Sequence, residues 1–165
     1  EKGILNFISS IANNLNSNQL IIICGDGPEK KRIKDYLNYI NQKNIILLGW
    51  VDPSLMPYLY NISNAFILPS FRDPNPLSVI EAIWSGLPLL ISKRLGNINE
   101  ALDEGFNGFS FNPDDQGSIA EVFTKFTQLT NNDLERMSIH SKKLAGENFS
   151  TLKSSNNFLH SILSK

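Results

Sequence analysis

Two acidic residues flank a predicted helix start near the middle of the chain. Asp73 lies in a proline-rich segment, and Glu81 follows eight residues later, about one turn into the helix. A helix N-terminus attracts anions through its free N–H groups and the positive end of its dipole. Carboxylates accept hydrogen bonds. The spacing therefore predicts a site suited to an anion such as phosphate, with one acceptor residue on each side of it.

The residues between the two carboxylates fit a helix N-terminus. We expect Asn75 to cap the helix and Pro76 to lie in its first turn, where the missing N–H of a proline costs nothing. The free N–H groups would then be those of Leu77 and Ser78. A proline-led helix start with a surface glutamate is common in proteins, so the motif gains meaning only from the elements around it.

Strands and helices alternate around this motif. Apolar runs that end in turn residues predict strands, and apolar residues at helical spacing predict helices. The predicted strands are residues 20–24, 44–48, 65–68, 87–91 and 108–111. Because helices separate them, we expect an α/β, Rossmann-like fold with a doubly wound parallel sheet, right-handed crossovers and helices on both faces. From about residue 116 the pattern predicts only helices, the last of them over residues 152–162.

Ligands of such sheets bind beyond the carboxyl ends of the strands. We therefore expect function in the four loops at that edge. They are residues 25–28, 49–52, 70–75 and 92–97.

Two expectations concern the core. The single cysteine, Cys24, lies in an apolar run, so we expect a small buried residue and no internal disulfide. In the helix after residue 52, Leu55, Met56 and Leu59 are expected to face the core, with Tyr58 as a further candidate.

Composition limits the class of protein. The chain has 165 residues, a formal net charge of -1 and 41% hydrophobic residues, which predicts one domain over residues 1–165. The chain has no excess of basic residues, so its composition does not indicate nucleic acid binding. No apolar run approaches the length of a membrane span.

Several familiar motifs are incomplete. The pair Gly25 and Gly27 lacks the third glycine of the dinucleotide fingerprint, because Lys30 stands there, so a tight turn is its simplest interpretation. His140 and His160 have no partners at metal-ligand spacing, and we expect no metal site. The serines lack the glycines of a nucleophile elbow.

The turn and loop residues together resemble a known family. The order and spacing of the sequences Gly25–Pro28, Pro69-Ser70 and Gly86-x-Pro88, with the acidic residue eight before Glu81, are similar to those of family 4 glycosyltransferases. These are retaining enzymes of the GT-B fold, and the chain resembles their C-terminal, donor-binding half. The resemblance covers nearly the whole chain.

The resemblance implies roles for the phosphate and ribose groups of a nucleotide sugar. Glu81 matches the residue that binds the ribose hydroxyls, and the N–H groups of Leu77 and Ser78 match those that hold the diphosphate. Lys2, in an opening Lys-Gly pair, matches a lysine that contacts the same diphosphate.

The resemblance also places the sugar and the base. Asp73 stands where the family binds sugar hydroxyls near the reacting carbon, and Trp50 and Val51 stand where it contacts the base. The turn glycines Gly25 and Gly27 and the helix-start residues Asn75 and Pro76 complete the implied donor site. The donor would be of the UDP or GDP type. No metal or other cofactor is implied, since lysine, arginine and the helix dipole neutralise the leaving diphosphate.

The chain departs from the family pattern in three ways. Asp73 is one methylene shorter than the usual glutamate, and Pro74 and Pro76 replace frequent glycines, which removes two N–H donors. The N-terminal acceptor domain, the first strand and an upstream arginine are absent from the sequence. We therefore expect an excised domain that binds donor weakly and does not transfer sugar by itself.

For the intact enzyme, the resemblance implies transfer of a sugar to a glycan or lipid-linked glycan with retention of anomeric configuration. Bacterial polysaccharide assembly is implied, in the cytoplasm, with peripheral contact at the inner membrane face through the missing domain. Two alternatives stay open: a nucleotide-sugar epimerase of the same architecture, and a non-catalytic binding module.

Overall fold

The computed structural model of the chain describes residues 2–151, so the predicted last helix lies outside the described residues. The strands are β1 Ile21–Cys24, β2 Ile45–Gly49, β3 Phe66–Leu68, β4 Leu89–Ser92 and β5 Gly108–Phe111. The α-helices are α1 Ile4–Ile11, α2 Lys30–Tyr39, α3 Met56–Ile62, α4 Leu77–Trp84, α5 Ile98–Ala101, α6 Gln116–Thr127 and α7 Asn131–Asn148. A 3₁₀ turn, Pro53–Leu55, precedes α3. The predicted alternation of helices and strands is confirmed.

All strand pairs are parallel, as predicted, but their hydrogen bonds form two groups rather than one sheet. Strand β1 pairs with β2, and β3, β4 and β5 pair in that order. Within residues 2–151, no strand pairs with the second edge of β1 or of β3. This division corrects the expectation of one continuous sheet.

Helices cover both faces of the three-stranded group. Side chains alternate across β4, so Leu89 and Ile91 pack with Val79 and Ile83 of α4. Leu90 points to the other face, where α1 and α6 provide the cover. The predicted two-sided packing is therefore present around β4, next to the helix that follows Asp73.

Helix α1 joins the two strand groups. Its Ile8 packs with Ile33 of α2 and Ile45 of β2. Its Phe7 and Ile11 pack in a second cluster with residues of β5 and α6. The first helix thus contributes to the core on either side of the division between the strands.

The prediction that Cys24 is buried is wrong. Cys24 is exposed at the end of β1, and Ile46 and Leu48 of the neighbouring strand are exposed as well. Among residues 2–151, one face of the β1–β2 pair therefore lacks the helical layer that the prediction assumed.

The inward face of α3 also differs from the prediction. Leu55 and Tyr58 are exposed, whereas Met56 packs against the core and Tyr60 is buried within it. The 3₁₀ turn interrupts the helical phase, and Met56 begins a new helix in which Tyr60 lies on the same face, four residues later.

Candidate functional site

Backbone contacts join the four predicted loops in two pairs. The Gly25 N–H donates to the Gly49 carbonyl oxygen over 2.6 Å, which links the loops after β1 and β2. The Gly96 N–H donates to the Asp73 carbonyl oxygen over 2.9 Å, and Asp73 forms a parallel bridge with Leu95. The loops after β3 and β4 are therefore fixed to each other at the carboxyl edge.

Gly96 permits an unusually close approach between these last two loops. A Cβ atom at this position would lie 1.9 Å from the Pro74 carbonyl oxygen, inside any allowed contact. Only glycine fits here without moving one of the loops. The position of Asp73 thus depends on a residue in the loop of the next strand.

The start of α4 differs from the prediction in its cap. Pro76, rather than Asn75, is the N-cap residue, and no side chain caps the helix. The Asn75 Oδ1 instead accepts from the Asn97 side-chain amide over 3.4 Å, and the same amide donates to the Pro76 carbonyl oxygen over 3.3 Å. Because the Asn75 side chain hydrogen-bonds Asn97, it does not cap α4, although the capping preference of asparagine predicted that it would.

The open N–H groups at this helix start are those of Leu77 and Ser78, as predicted. As the first residues of α4, they precede any acceptor within the helix. Leu77 is exposed and Ser78 is half-buried. The helix start is therefore accessible to an anion.

Asn97 is a site residue that the sequence analysis missed. It is buried, and its Oδ1 has no hydrogen-bond partner within the part of the chain that the structure describes. Its partners Asn75 and Pro76 are more than twenty residues away in sequence. The only local signal was its place in the loop after β4.

Lys2 and Asp73 form an ion pair, with the Lys2 Nζ atom 2.5 Å from the Asp73 Oδ2 atom. The Lys2 side chain is 60% exposed and that of Asp73 16%. Gly3 positions the pair: it has a φ of 66°, and a Cβ there would lie 2.2 Å from the Pro69 carbonyl oxygen. The glycine lets the start of α1 approach the end of β3, which brings Lys2 to Asp73.

Glu81 contacts Tyr60, another residue that the sequence analysis missed. The Tyr60 hydroxyl donates to the Glu81 Oε2 atom over 2.8 Å. Burial first, and then the hydrogen bond and charge of Glu81, raise the pKa of the Tyr60 hydroxyl well above its usual value. The phenol is therefore a stable proton donor to the carboxylate. Tyr60 follows Met56 by four residues in the same helix, so helical periodicity could have predicted that both face the core.

The loops after β1 and β2 present an open surface. Gly25 has a φ of 119°, and a Cβ at Gly27 would meet no atom within 4 Å. Trp50 is 70% exposed and Val51 is half-buried. An exposed tryptophan at this edge offers a flat apolar surface to a ligand.

A second ion pair lies at the same loops. The Lys30 Nζ atom lies 2.7 Å from the Asp26 Oδ2 atom. The hydrogen bonds from Lys30 and from the Gly27 N–H lower the pKa of Asp26. A Cβ at Gly49 would lie 3.0 Å from the Lys30 Nζ, so Lys30 reaches over the end of β2.

Direct contacts therefore connect only some of the predicted site residues. Lys2 pairs with Asp73, and Asn75 and Pro76 share Asn97. Among the described residues, no hydrogen bond or ion pair links Trp50 to Asp73 or Glu81. The predicted residues, which lie in the loops after the strands, on α4 and just before α1, thus do not form one bonded network.

Neither a metal cluster nor a membrane helix is found in the described chain. Among residues 2–151, no group of three or more His, Cys, Asp or Glu side chains could hold a metal ion. No helix in the same range is long and apolar enough to cross a membrane. That the reaction needs no metal stays a prediction.

Comparison with protein families identifies the chain. The family model described as glycosyl transferases group 1 matches residues 1–144. The chain belongs to this glycosyltransferase family. The resemblance seen in the turn and loop residues is thus confirmed at the level of the group 1 family.

Curated relatives agree with this assignment. The UDP-Gal:alpha-D-GlcNAc-diphosphoundecaprenol alpha-1,3-galactosyltransferase of Escherichia coli is 33% identical over 119 residues, which cover 71% of this chain and 30% of the relative. The 2-deoxystreptamine N-acetyl-D-glucosaminyltransferase of Niallia circulans is 28% identical over 147 residues, which cover 86% and 37%. The chain thus spans about a third of the length of these relatives.

Solved structures establish the fold of this group 1 domain. HepE of Anabaena, solved in complex with UDP and glucose, superposes with a TM-score of 0.81 at 17% identity, over 99% of this chain and 45% of HepE. The C-terminal domain of the group 1 protein LpcC of Francisella tularensis superposes with a TM-score of 0.79 at 18% identity, over 91% of this chain and 80% of that domain. The predicted Rossmann-like fold of a GT-B C-terminal domain is confirmed.

Proposed function

We propose that this group 1 domain binds the nucleoside diphosphate sugar donor in a retaining, family 4 glycosyltransferase. The start of α4 carries this proposal, because it places open N–H groups between the Lys2–Asp73 pair and the Glu81 carboxylate. A diphosphate next to a sugar and a ribose presents an anion between two sets of hydroxyls. From Asp73 through Leu77 and Ser78 to Glu81, the order of groups matches that order in the ligand.

The diphosphate would lie against the start of α4. The N–H groups of Leu77 and Ser78 and the positive end of the helix dipole would stabilise the charge that develops as the diphosphate leaves. Lys2 would supply a full positive charge beside them. These groups also explain why we propose a reaction that requires no metal.

The ribose and the base would lie on the other side of the helix start. Glu81 would accept hydrogen bonds from the ribose hydroxyls through an oxygen that has no partner within residues 2–151. Trp50 and Val51, with the turn residues Gly25 and Gly27, would contact the base. The donor is of the UDP or GDP type, and UDP is supported by its presence in the HepE structure.

The sugar would lie next to Asp73. Its carboxylate would accept hydrogen bonds from sugar hydroxyls near the anomeric carbon and so orient that carbon toward the acceptor. The bond from the anomeric carbon to the diphosphate oxygen breaks, and a bond to an acceptor oxygen forms on the same face of the sugar. The acceptor proton would leave through a group outside this domain.

We further propose that the intact protein supplies two parts beyond this sequence. A strand before Glu1 would pair with both β1 and β3, each of which has one edge unpaired within residues 2–151. An N-terminal domain would bind a glycan or lipid-linked glycan acceptor, as the lipid-linked substrate in the name of the Escherichia coli relative supports. Contact with the inner membrane face would come through that domain.

Calorimetric titration of the intact protein with UDP, GDP and ADP tests this function. We expect saturable binding of one nucleotide, weakened at least about tenfold in Glu81→Ala, because a carboxylate that binds hydroxyls contributes a charge-assisted hydrogen bond. Glu121→Ala, in an exposed position of α6, is the matched control and should bind like the wild type. Wild-type affinity in Glu81→Ala would contradict the proposed site.

A further inference from the structure

The Tyr60–Glu81 hydrogen bond connects a core residue to the site. The Tyr60 residue is 7% exposed and packs with Leu68 and Val79, and its ring lies 6.2 Å from that of Phe66. A ring held in a packed core has one position. Its hydroxyl therefore has a fixed location, 2.8 Å from the Glu81 Oε2 atom.

Glu81 itself is less constrained. It is exposed on α4, and a free glutamate side chain samples many rotamers. Within residues 2–151 the Tyr60 hydroxyl is the only hydrogen-bond partner of its carboxylate. Holding Oε2 therefore also limits where Oε1 can lie.

We infer that Tyr60 is a positioning residue, which holds the Glu81 carboxylate ready to accept hydrogen bonds from the ribose hydroxyls of the donor. The inference rests on the proposed function of Glu81. An ionised carboxylate has about four acceptor sites, so it can accept from Tyr60 and from two ribose hydroxyls at once. Because the rotamer is already selected, ribose binding loses less side-chain freedom.

The test compares ribose and deoxyribose ligands on the intact protein. Titrations use UDP, GDP and ADP and their 2′-deoxy forms. For the nucleotide that binds, the Kd of the 2′-deoxy form divided by the Kd of the ribose form measures recognition of the 2′-hydroxyl. In Tyr60→Phe the ring stays in the core and only the donor is lost. We expect this ratio to fall by about three- to tenfold, through a higher Kd for the ribose form.

Two control variants separate positioning from a structural role. Tyr39→Phe makes the same chemical change at the last residue of α2, where the tyrosine is 88% exposed, and should leave the ratio unchanged. Glu81→Gln removes the charge but keeps an amide oxygen that can accept from Tyr60, so thermal stability should stay near that of the wild type while the ratio falls.

Each outcome has one meaning. A Tyr60→Phe protein with an unchanged ratio, whether its two Kd values stay the same or rise together, overturns the inference. If Glu81→Ala also keeps wild-type affinity, the proposed function fails as well. If Glu81→Ala loses affinity but Tyr60→Phe keeps the ratio, only the role of Tyr60 is wrong. If none of the six nucleotides binds the intact protein, both fail.

Discussion

The Lys2 ammonium lies 2.5 Å from the Asp73 carboxylate, so two groups with separate proposed roles neutralise each other before any ligand binds. Lys2 is proposed to bind the diphosphate and Asp73 the sugar. A bound donor would have to redirect the lysine, which its exposure allows.

The first prediction concerns Asp73→Asn. Without the carboxylate, Lys2 is free to bind a diphosphate, so UDP or GDP alone should bind equally well or up to about fivefold more tightly, as expected for an exposed ion pair. Sugar transfer by the intact protein should fall, because the sugar loses its charged acceptor. Titration and a transfer assay on the same preparation check both effects. A large loss of affinity for the nucleotide alone would show that Asp73 positions Lys2.

The second prediction concerns Lys2 itself. Lys2→Ala should weaken nucleoside diphosphate binding about tenfold, because a charge-assisted contact to phosphate is lost. The affinity of the variant should also depend less on salt than that of the wild type. Lys31→Ala, which removes an exposed lysine on α2, is the control. Equal effects of the two substitutions would indicate only a general loss of positive charge.

The third prediction concerns the contact between the loops after β3 and β4. Gly96→Ala places a methyl group against the Pro74 carbonyl and should lower the free energy of unfolding by about 1 to 3 kcal/mol. Gly146→Ala is the matched control, since a Cβ there, in the last turn of α7, meets no atom within 4 Å, and it should stabilise by up to about 1 kcal/mol. Denaturant unfolding of both variants measures the difference. A neutral Gly96→Ala would mean that the two loops separate easily.

The fourth prediction concerns the support of the helix start. Asn97→Ala removes both amide contacts to Asn75 and Pro76 and should cost about 1 to 2 kcal/mol of stability. Nucleotide affinity should fall too, because the first turn of α4 loses its anchor. Asn99→Ala, at an exposed position two residues later, should change neither quantity. Loss of stability with intact affinity would limit Asn97 to a structural role.

Much of the fold followed from local sequence. Apolar runs located every strand to within about two residues, and the parallel arrangement follows from their alternation with helices. The helix after Asp73 and its open N–H groups at Leu77 and Ser78 were also predictable, because proline and the strand end mark that boundary.

What could not be predicted depends on contacts between distant residues. Tyr60 of α3 donates a hydrogen bond to Glu81 of α4. Asn97 contacts Asn75, from which α4 and β4 separate it in the sequence. The cap was misassigned because a distant amide competes for the Asn75 side chain. The exposure of Cys24 depends on which elements cover its strand, a property that an apolar run does not encode.

The unpaired edges of β1 and β3 have a consequence for handling this domain. Each presents a row of backbone donors and acceptors that no strand within residues 2–151 satisfies. Such edges template pairing between molecules, and the exposed Ile46 and Leu48 of β2 add apolar surface to the same strand pair as β1. Expressed as residues 1–165, the domain should self-associate with rising concentration, and inclusion of the strand that we propose before Glu1 should keep it monodisperse.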